Sequence, residues 1–355
     1  MRRLVLLLLI PAVVAPAVGI VNWRLDPFGW FYEQGPLRAA LARPGCLLGD
    51  DAIGGASYLR FKEDVLRTRP GTSTVVLGSS RMLKIARRPG ETGFTNLGFP
   101  ATGPAVLPAL VRDLHRIHGG RPLTVYLSVD FMWLNPTWDP GVDFQPSFFR
   151  RMEYLLGRRA LQDSVRLVRR QGLHAALRGW EQEQFGGRCV VGRGSPGIAW
   201  RPDGVRMYAF ELDRSAAPPT PSRWSGSFAD LRAGQYAGFT HLDRRALRRL
   251  ARALDEAHRY GWRVVGFAPP DSTFYARLFA TRPETAAAWR DFARDVPALF
   301  RARGMAWVDL RDVRHVPCAQ TDFVDDGWHV NAACAAKVRD RLDAAAAAAP
   351  APAAG

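Results

Sequence analysis

Lysine is scarce in this 355-residue chain: Lys62, Lys84 and Lys337 are the only lysines among 49 basic residues. Arginine supplies the rest and is scattered along the sequence, so the net charge of +16 indicates compositional bias rather than a basic patch. The densest run falls on the predicted solvated face of one amphipathic helix: Arg244, Arg245, Arg248, Arg249 and Arg252. We therefore do not expect nucleic-acid binding. A hydrophobic content of 47% also excludes a disordered chain.

Cysteine is equally sparse, and no two of the four cysteines form a C-x-x-C pair. Because the histidines are also dispersed, the sequence predicts no metal site. Four cysteines can form up to two disulfides in three pairings, which suits an exported protein. A bridge between Cys318 and Cys334 is one prediction, and four buried free thiols are the alternative.

Charge is absent from Leu4 to Trp23, a segment that follows Arg2 and Arg3. As a helix it would be about 30 Å long, the thickness of a bilayer's hydrocarbon core. Since flanking arginines favour the cytoplasm, residues 1–23 are predicted to be an uncleaved signal anchor in a bacterial inner membrane. Everything after it would then lie in the periplasm. The alternative is a signal peptide cleaved near Ala15-Pro16-Ala17, which exports the same domain.

Beyond a predicted stalk at residues 24–70, strand and helix patterns alternate in a domain predicted at residues 71–345. Five apolar segments have the form of buried strands: 73–79, 93–97, 124–130, 262–268 and 306–310. Four segments have helical patterns: 104–118, 243–259, 283–303 and 331–345. Continuous apolar strands favour a parallel sheet covered on both faces. The sequence therefore predicts an α/β fold, a three-layer α/β/α sandwich with a mostly parallel five-stranded sheet.

The stretch 136–240 breaks this rhythm, with a basic helical patch around residues 150–178 and then Gly- and Pro-rich loops. It is too long for a simple crossover. We therefore predict an insertion over the active-site edge of the sheet that shapes substrate choice. Residues 346–355 form a low-complexity tail, for which disorder is the expectation.

Chemically active side chains follow the predicted strands. Ser80 and Arg81 come after the first strand, Asp130 ends the third, and His329 precedes the last helix. Ligand sites of parallel sheets lie beyond the carboxyl ends of the strands, so these side chains are expected to converge at one edge. A hydroxyl, a base and a carboxylate together favour nucleophilic acyl transfer. The other histidines lack partners at motif spacing and are predicted to lie at the surface.

The segments VVLGSSRM, FTNLGFPATGP, YLSVDF and DDGWHVN occur in the order of the four sequence blocks of the SGNH/GDSL hydrolase superfamily. Over about residues 71–345 the chain resembles that superfamily. The likeness is to membrane-anchored envelope members, similar to the proteins that assist O-acetylation of exported polysaccharides and D-alanylation of teichoic acids. The resemblance implies a flavodoxin-like SGNH hydrolase fold and no metal or organic cofactor.

The resemblance also implies residue roles. Ser80 would be the nucleophile, since Ser79 matches the variable position of its block. His329 would be the general base and Asp326 the carboxylate that orients it, with Asp325 as the alternative.

The N–H groups of Ser80 and Gly98 would hold the oxyanion. Asp130 stands where the superfamily has a donor asparagine, and an ionised carboxylate cannot donate a hydrogen bond. Either Asp130 is protonated, another donor serves, or the site is not a simple esterase. Arg81 could bind an acidic substrate or pair with Asp130 in a salt bridge.

These expectations describe a cell-envelope esterase or O-acyltransferase. It would act on an acyl ester, such as an acetyl ester, of an exported glycan, and a membrane-bound acyl-transfer protein is a conceivable partner. The alternative is a non-catalytic envelope protein that binds glycan or scaffolds a partner. Five tryptophans near the predicted cleft would suit stacking on sugars: Trp133, Trp138, Trp180, Trp200 and Trp224.

Overall fold

The computed structural model describes most of the chain: residues 2–26, 45–49, 58–100, 102–138, 148–174, 181–185, 188–192, 198–212, 236, 238–312, 316, 318–324 and 327–349. The chain divides into two compact units. The first unit comprises Met1–Phe61, Val142–Pro202 and Met207–Ser215. The second unit comprises Lys62–Gly141, Asp203–Arg206 and Ala216–Gly355.

The helices, in chain order, are α1 (Arg2–Leu25), α2 (Tyr58–Arg67), α3 (Leu107–Ile117), α4 (Phe148–Leu156), α5 (Arg158–Gln171), α6 (Ala209–Leu212), α7 (Arg244–Arg259), α8 (Thr273–Thr281), α9 (Pro283–Arg301) and α10 (Ala332–Ala348). The strands are β1 (Leu47–Gly49), β2 (Thr74–Leu77), β3 (Phe94–Asn96), β4 (Thr124–Ser128), β5 (Glu181–Phe185), β6 (Arg188–Gly192), β7 (Ile198–Trp200), β8 (Arg206–Tyr208), β9 (Arg263–Ala268) and β10 (Ala306–Asp309). Short 3-10 turns lie at Ser80–Met82, Phe131–Leu134 and Gln320–Asp322.

A five-stranded sheet forms the centre of the second unit, in the order β10-β9-β4-β2-β3. All of its neighbouring strands are parallel. The α/β fold with a five-stranded parallel sheet is thus confirmed, and each predicted strand segment contains one strand. Numbered within the sheet alone, the strand order is 2-1-3-4-5 and reverses between β2 and β4, the place where open α/β sheets bind ligands.

The predicted helices of this unit form because their apolar stripes have a sheet or a helix to cover. Helix α7 begins where Asp243 accepts a 2.8 Å hydrogen bond from the Arg245 N–H, buries Leu250 and Leu254, and packs on α3 and β9. Its five predicted solvated arginines are all exposed. Helix α10 packs on β9 and β10 and runs to Ala348. It passes the predicted start of a disordered tail at residue 346, because alanine is the best helix former.

A second sheet was not predicted. It has the order β5-β6-β1-β7-β8. Strand β1 pairs with β6 in parallel and with β7 antiparallel, and a disulfide joins Cys46 to Cys189. Among the described residues, the predicted stalk at 24–70 therefore contains a strand and helix α2, and the predicted insertion at 136–240 contributes α4, α5, α6 and four strands. The placement of that insertion over the active-site edge stays a prediction.

Helix α1 packs against α4 and α5 within the first unit. Buried Asn22 near its C-terminal end donates to the Leu155 carbonyl at 2.7 Å and accepts from the Ser164 hydroxyl at 3.1 Å. The side chains of residues 1–12 lie outside the described part of the chain. Among the described residues, no helix is both long and apolar enough to cross a membrane. Membrane insertion of residues 1–23 stays a prediction.

Candidate active site

The turn after β2 delivers two serines to the carboxyl edge of the parallel sheet. It depends on Gly78, whose φ of +150° is rarely adopted by residues that carry a side chain. A Cβ at this position would lie 2.5 Å from the Ser128 Cβ at the end of β4. Glycine thus allows the ends of β2 and β4 to approach each other, next to the point where the strand order reverses.

Ser80 and His329 meet at this edge. The Ser80 Oγ lies 2.8 Å from the His329 Nε2, and both residues are half-buried, so a substrate can reach them. When the imidazole carries its proton on Nδ1, the Ser80 hydroxyl donates to Nε2. Ser79 is fully buried, and its Oγ accepts a 3.2 Å hydrogen bond from the Arg81 N–H as the cap of a 3-10 turn. Ser80 is therefore the serine that contacts the base.

The segment that carries His329 is held on both sides. A bridge pairs Phe323 with Val330, and the Val324 N–H donates to the His329 carbonyl at 2.8 Å. A disulfide joins Cys318 to Cys334. The bridge and the disulfide thus hold the loop from which the His329 imidazole contacts Ser80.

The predicted carboxylates of the triad, Asp326 and its alternative Asp325, lie outside the described residues. Their assignment stays a prediction. No group of three or more His, Cys, Asp or Glu side chains among the described residues could hold a metal ion.

The predicted oxyanion donors differ in their hydrogen bonding. The Ser80 N–H donates to no group within the described part of the chain, so it is available to a substrate. The Gly98 N–H already donates to the Asn96 Oδ1 at 3.0 Å, and an oxyanion would have to compete for it. The Asn96 amide in turn donates to the Met82 and Ile85 carbonyls at 2.8 and 2.9 Å, which fastens the loop after Ser80. The oxyanion role of Gly98 stays a prediction.

Asp130 and Arg81 form the salt bridge that the sequence left as one of two readings. The Arg81 Nη1 lies 3.3 Å from the Asp130 Oδ1, and Nη2 lies 2.7 Å from the Asp271 Oδ1. Nη2 also donates to the Pro270 carbonyl. All three charged side chains are almost fully buried. Such an arginine is occupied by protein groups.

Burial governs the ionisation of this cluster, in which two carboxylates share one guanidinium. Burial raises the pKa of Asp271 to about 6, although the Arg81 charge opposes the rise. Burial also raises the pKa of Asp130, again against Arg81. Burial alone would lower the pKa of Arg81, but Asp271 and Asp130 raise it above its ordinary value, so the guanidinium stays charged.

The sequence predicted no role for three members of this cluster: Asp271, Trp328 and Tyr236. The Arg81 guanidinium lies over the Trp328 ring, 4.1 Å from its centroid. Tyr236 is fully buried beside Trp328, with ring centroids 5.8 Å apart, and burial raises its pKa well above the ordinary value. One signal was present, because Asp271 follows β9 at the same sheet edge as Ser80 and Asp130.

The alternative of sugar stacking on tryptophans loses much of its support. Trp133 and Trp200 are almost fully buried, so they cannot stack on a sugar, and Trp180 and Trp224 lie outside the described residues. Trp138 is half-buried and covers Gly103. The prediction for the other histidines fails at His118, which is buried because its ring nitrogen contacts the Thr72 carbonyl.

No protein-family model matches this chain, and no match was found among curated proteins. Evidence for a function therefore comes from the residues at the sheet edge. A half-buried hydroxyl and an imidazole at hydrogen-bond distance, beside a backbone N–H that has no partner among the described residues, can carry out nucleophilic attack with general-base assistance.

Proposed function

We propose that this chain is an SGNH-like serine esterase or O-acyltransferase. The observation that carries the proposal is the 2.8 Å contact between the Ser80 Oγ and the His329 Nε2 at the carboxyl edge of the parallel sheet. Nucleophile and base within hydrogen-bond reach are the minimal machinery of acyl transfer. The two residues are 249 positions apart in the sequence, so local chain geometry does not account for their meeting.

The fold supports the same proposal. A sheet order of 2-1-3-4-5 is the flavodoxin-like order of doubly wound proteins. The segments that resemble the superfamily blocks follow β2, β3 and β4 and precede α10, so they meet at one edge. We propose the SGNH hydrolase fold for the second unit on this ground.

The proposed reaction has two half-reactions. His329 Nε2 takes the proton of the Ser80 hydroxyl as Oγ bonds to the ester carbonyl carbon. The tetrahedral intermediate then releases the alcohol, which takes the proton back from His329, and an acyl-Ser80 ester remains. Water or a sugar hydroxyl next attacks that ester and gives its proton to His329. The acid or the new ester leaves as Ser80 recovers its proton.

The Ser80 N–H is the backbone donor that we assign first to the oxyanion, because it has no partner among the described residues. Asp326 is proposed to orient His329. Asp130 faces Arg81, so we propose that it shapes the site electrostatically instead of donating to the oxyanion.

We propose an acyl ester on an exported cell-envelope glycan as the substrate class. The two disulfides support an oxidising compartment such as the periplasm. The apolar N-terminal segment supports attachment to the inner membrane, where a membrane-bound protein could supply acyl groups.

Covalent labelling of the full-length chain with a fluorophosphonate probe tests the function. Wild type should be labelled, and Ser80→Ala should not be, because the probe needs an activated hydroxyl. Ser79→Ala is the matched control and should remain labelled, since Ser79 is buried and does not contact His329. Equal labelling of wild type and Ser80→Ala would refute the nucleophile assignment.

A further inference from the structure

We propose that Arg81 is a positioning residue that sets the geometry between Ser80 and His329 through its contact with Trp328. The inference rests on the proposed function. It assigns Arg81 and Trp328 a role in the reaction although neither touches the reacting atoms.

The residues of this contact are chain neighbours of the two proposed catalytic residues. Arg81 directly follows Ser80, and Trp328 directly precedes His329. The guanidinium of the first lies 4.1 Å from the ring centroid of the second. The two catalytic residues are thus joined by a second contact, one residue removed from the hydrogen bond between them. We therefore expect a change in the contact between Arg81 and Trp328 to change the geometry between Ser80 and His329.

Both members of this contact are held from behind. Arg81 is fixed by Asp130, which follows β4, and by Pro270 and Asp271, which follow β9. Its side chain is only 1% exposed. Arg81 therefore holds the neighbouring Ser80 in a fixed position relative to the ends of β4 and β9, two adjacent strands of the sheet.

Trp328 is held by aromatic rings. Its ring centroid lies 5.4 Å from that of Tyr275, and 5.8 Å from those of Tyr236 and Phe279. All three contacts are edge-to-face, an arrangement favoured between aromatic rings. These three rings and the Arg81 guanidinium over its ring together hold the indole next to His329 in place.

The arrangement needs a guanidinium and not merely a positive charge. A planar guanidinium can donate to two carboxylates and a carbonyl in its own plane while its face stacks on an indole. A lysine ammonium keeps the charge but has neither the fork nor the flat face. Arg81→Lys therefore removes the positioning contact and leaves the positive charge in place.

Stability alone does not explain the buried polar cluster around Arg81. Four of its buried atoms lack a hydrogen-bond partner within the described part of the chain: Arg81 Nε, Asp130 Oδ2, Asp271 Oδ2 and Tyr236 Oη. Buried polar atoms are normally paired, and exceptions concentrate where function requires them. A buried cluster that is only partly satisfied, placed one residue from the nucleophile and the base, favours a functional role.

The chain provides a matched control in Arg339, another buried arginine. It binds Glu91 and Asp343 and lies 4.0 Å from the centroid of the Phe94 ring. Its chemistry repeats that of Arg81, but neither of its sequence neighbours is Ser80 or His329. Arg339→Lys thus reproduces the loss of a forked, stacked guanidinium away from the site.

The experiment measures the second-order rate of fluorophosphonate labelling for full-length wild type, Ser80→Ala, Arg81→Lys and Arg339→Lys. A misplacement near 1 Å can cost about a hundredfold in rate, so we expect Arg81→Lys to be slowed at least about tenfold. Arg339→Lys should retain the wild-type rate. With an ester substrate, the effect of Arg81→Lys should fall on kcat, while KM stays near the wild-type value.

Trp328 offers a second test that leaves the charged cluster intact. Trp328→Phe keeps an aromatic face for the guanidinium and should retain most of the rate, whereas Trp328→Leu should lose it. Circular dichroism of each variant verifies the fold.

The outcomes separate the two proposals. If wild type is labelled no more than Ser80→Ala, the proposed function fails. If wild type is labelled but Arg81→Lys and Arg339→Lys react equally fast, the positioning role is overturned and the function stands. An effect of Arg81→Lys on KM alone, or equal rates for Trp328→Phe and Trp328→Leu, would also overturn it.

Discussion

Arg81 and Arg339 occupy two regions of the second unit and are bound by the same kinds of group. Each guanidinium lies between two carboxylates and against an aromatic ring. They differ in the surroundings of the carboxylates. The partners of Arg339 are about one quarter exposed, at 25% and 26%, whereas those of Arg81 are 0% and 1% exposed.

Hydrogen bonding follows the same division. All three nitrogens of the Arg339 guanidinium donate to Glu91 or Asp343. At the Arg81 cluster, the Nε atom and one oxygen of each carboxylate have no partner among the described residues. Arg339 therefore holds helix α10 to the loop that carries Glu91 near the protein surface. Water can hydrate the carboxylate oxygens there. The Arg81 cluster is almost fully buried, and polar atoms without a hydrogen bond are costly in such a place, which fits a role that stability does not explain.

The largest expected difference is in stability when each guanidinium is removed. Arg81→Met leaves two carboxylates buried and uncompensated, and should lower the free energy of unfolding by about 3–5 kcal/mol. Arg339→Met should cost only about 1–2 kcal/mol, because water can solvate its partners, which are about one quarter exposed. Urea denaturation of the two variants measures both losses, and equal losses would mean that burial does not distinguish the two arginine clusters.

The next largest effect tests the segment that brings Trp328 to Arg81. The double variant Cys318→Ser and Cys334→Ser opens a short loop, which should cost about 3 kcal/mol. It should also slow fluorophosphonate labelling, since Trp328 and His329 lie within that loop.

The matched control for this prediction is the double variant Cys46→Ser and Cys189→Ser, whose disulfide lies in the first unit. It should be less stable than wild type but label at the wild-type rate. An equally slow control would show that the rate reports general stability and not the Trp328 segment.

A third effect concerns the excess carboxylate of the Arg81 cluster. The folded-state pKa of Asp271 is raised from 3.8 to about 6, so between these values the folded protein binds more protons than the unfolded chain. The contribution of this group to stability is present below pH 3.8 and is lost as the pH rises through 6, by about 3 kcal/mol.

Asp271→Asn lacks this ionisation. The free energy of unfolding of this variant, minus that of wild type in urea denaturation, should therefore increase from pH 4 to pH 7, because only wild type loses stability as Asp271 ionises. Parallel pH profiles for the two proteins would mean that Asp271 titrates normally, and that the Arg81 cluster holds no excess charge.

The smallest effect belongs to the Arg339 region. The Tyr126 hydroxyl donates to Asp343, which also binds Arg339. Tyr126→Phe removes this hydrogen bond and should cost about 1 kcal/mol. The labelling rate should not change, because the Tyr126 hydroxyl donates to Asp343 of the Arg339 region and not to a carboxylate of the Arg81 cluster. A slower rate would indicate that the two arginine regions are coupled.

Several elements could be predicted because local physics decides them. Runs such as TVVL in β2 and RVVGFA in β9 are β-branched and apolar, so a sheet covered on both faces is their natural environment. Asp243 caps α7 because its carboxylate reaches an N–H two residues away. Ser80 and His329 were predicted to meet because the segments that carry them resemble sequence blocks of the SGNH/GDSL hydrolase superfamily, and their side chains lie within hydrogen-bond distance.

Other elements could not be predicted because they depend on remote partners. The strands of the first unit are short, and β5 reads EQEQF, which lacks an apolar pattern. Asp271 is separated from Arg81 by 190 residues, and no sequence spacing links them. No sequence pattern around Trp328 indicates that its ring lies against the Arg81 guanidinium.

Local patterns in the chain are enough to predict the strands of the parallel sheet and the reactive side chains at their carboxyl ends, because apolar runs need burial and the chemistry of serine, histidine and arginine is intrinsic to them. Which of these side chains meet depends on the packing of the whole unit. The order of strands depends on how helices and distant segments pack together, and it is this order that places the ends of β2, β4 and β9 around one guanidinium.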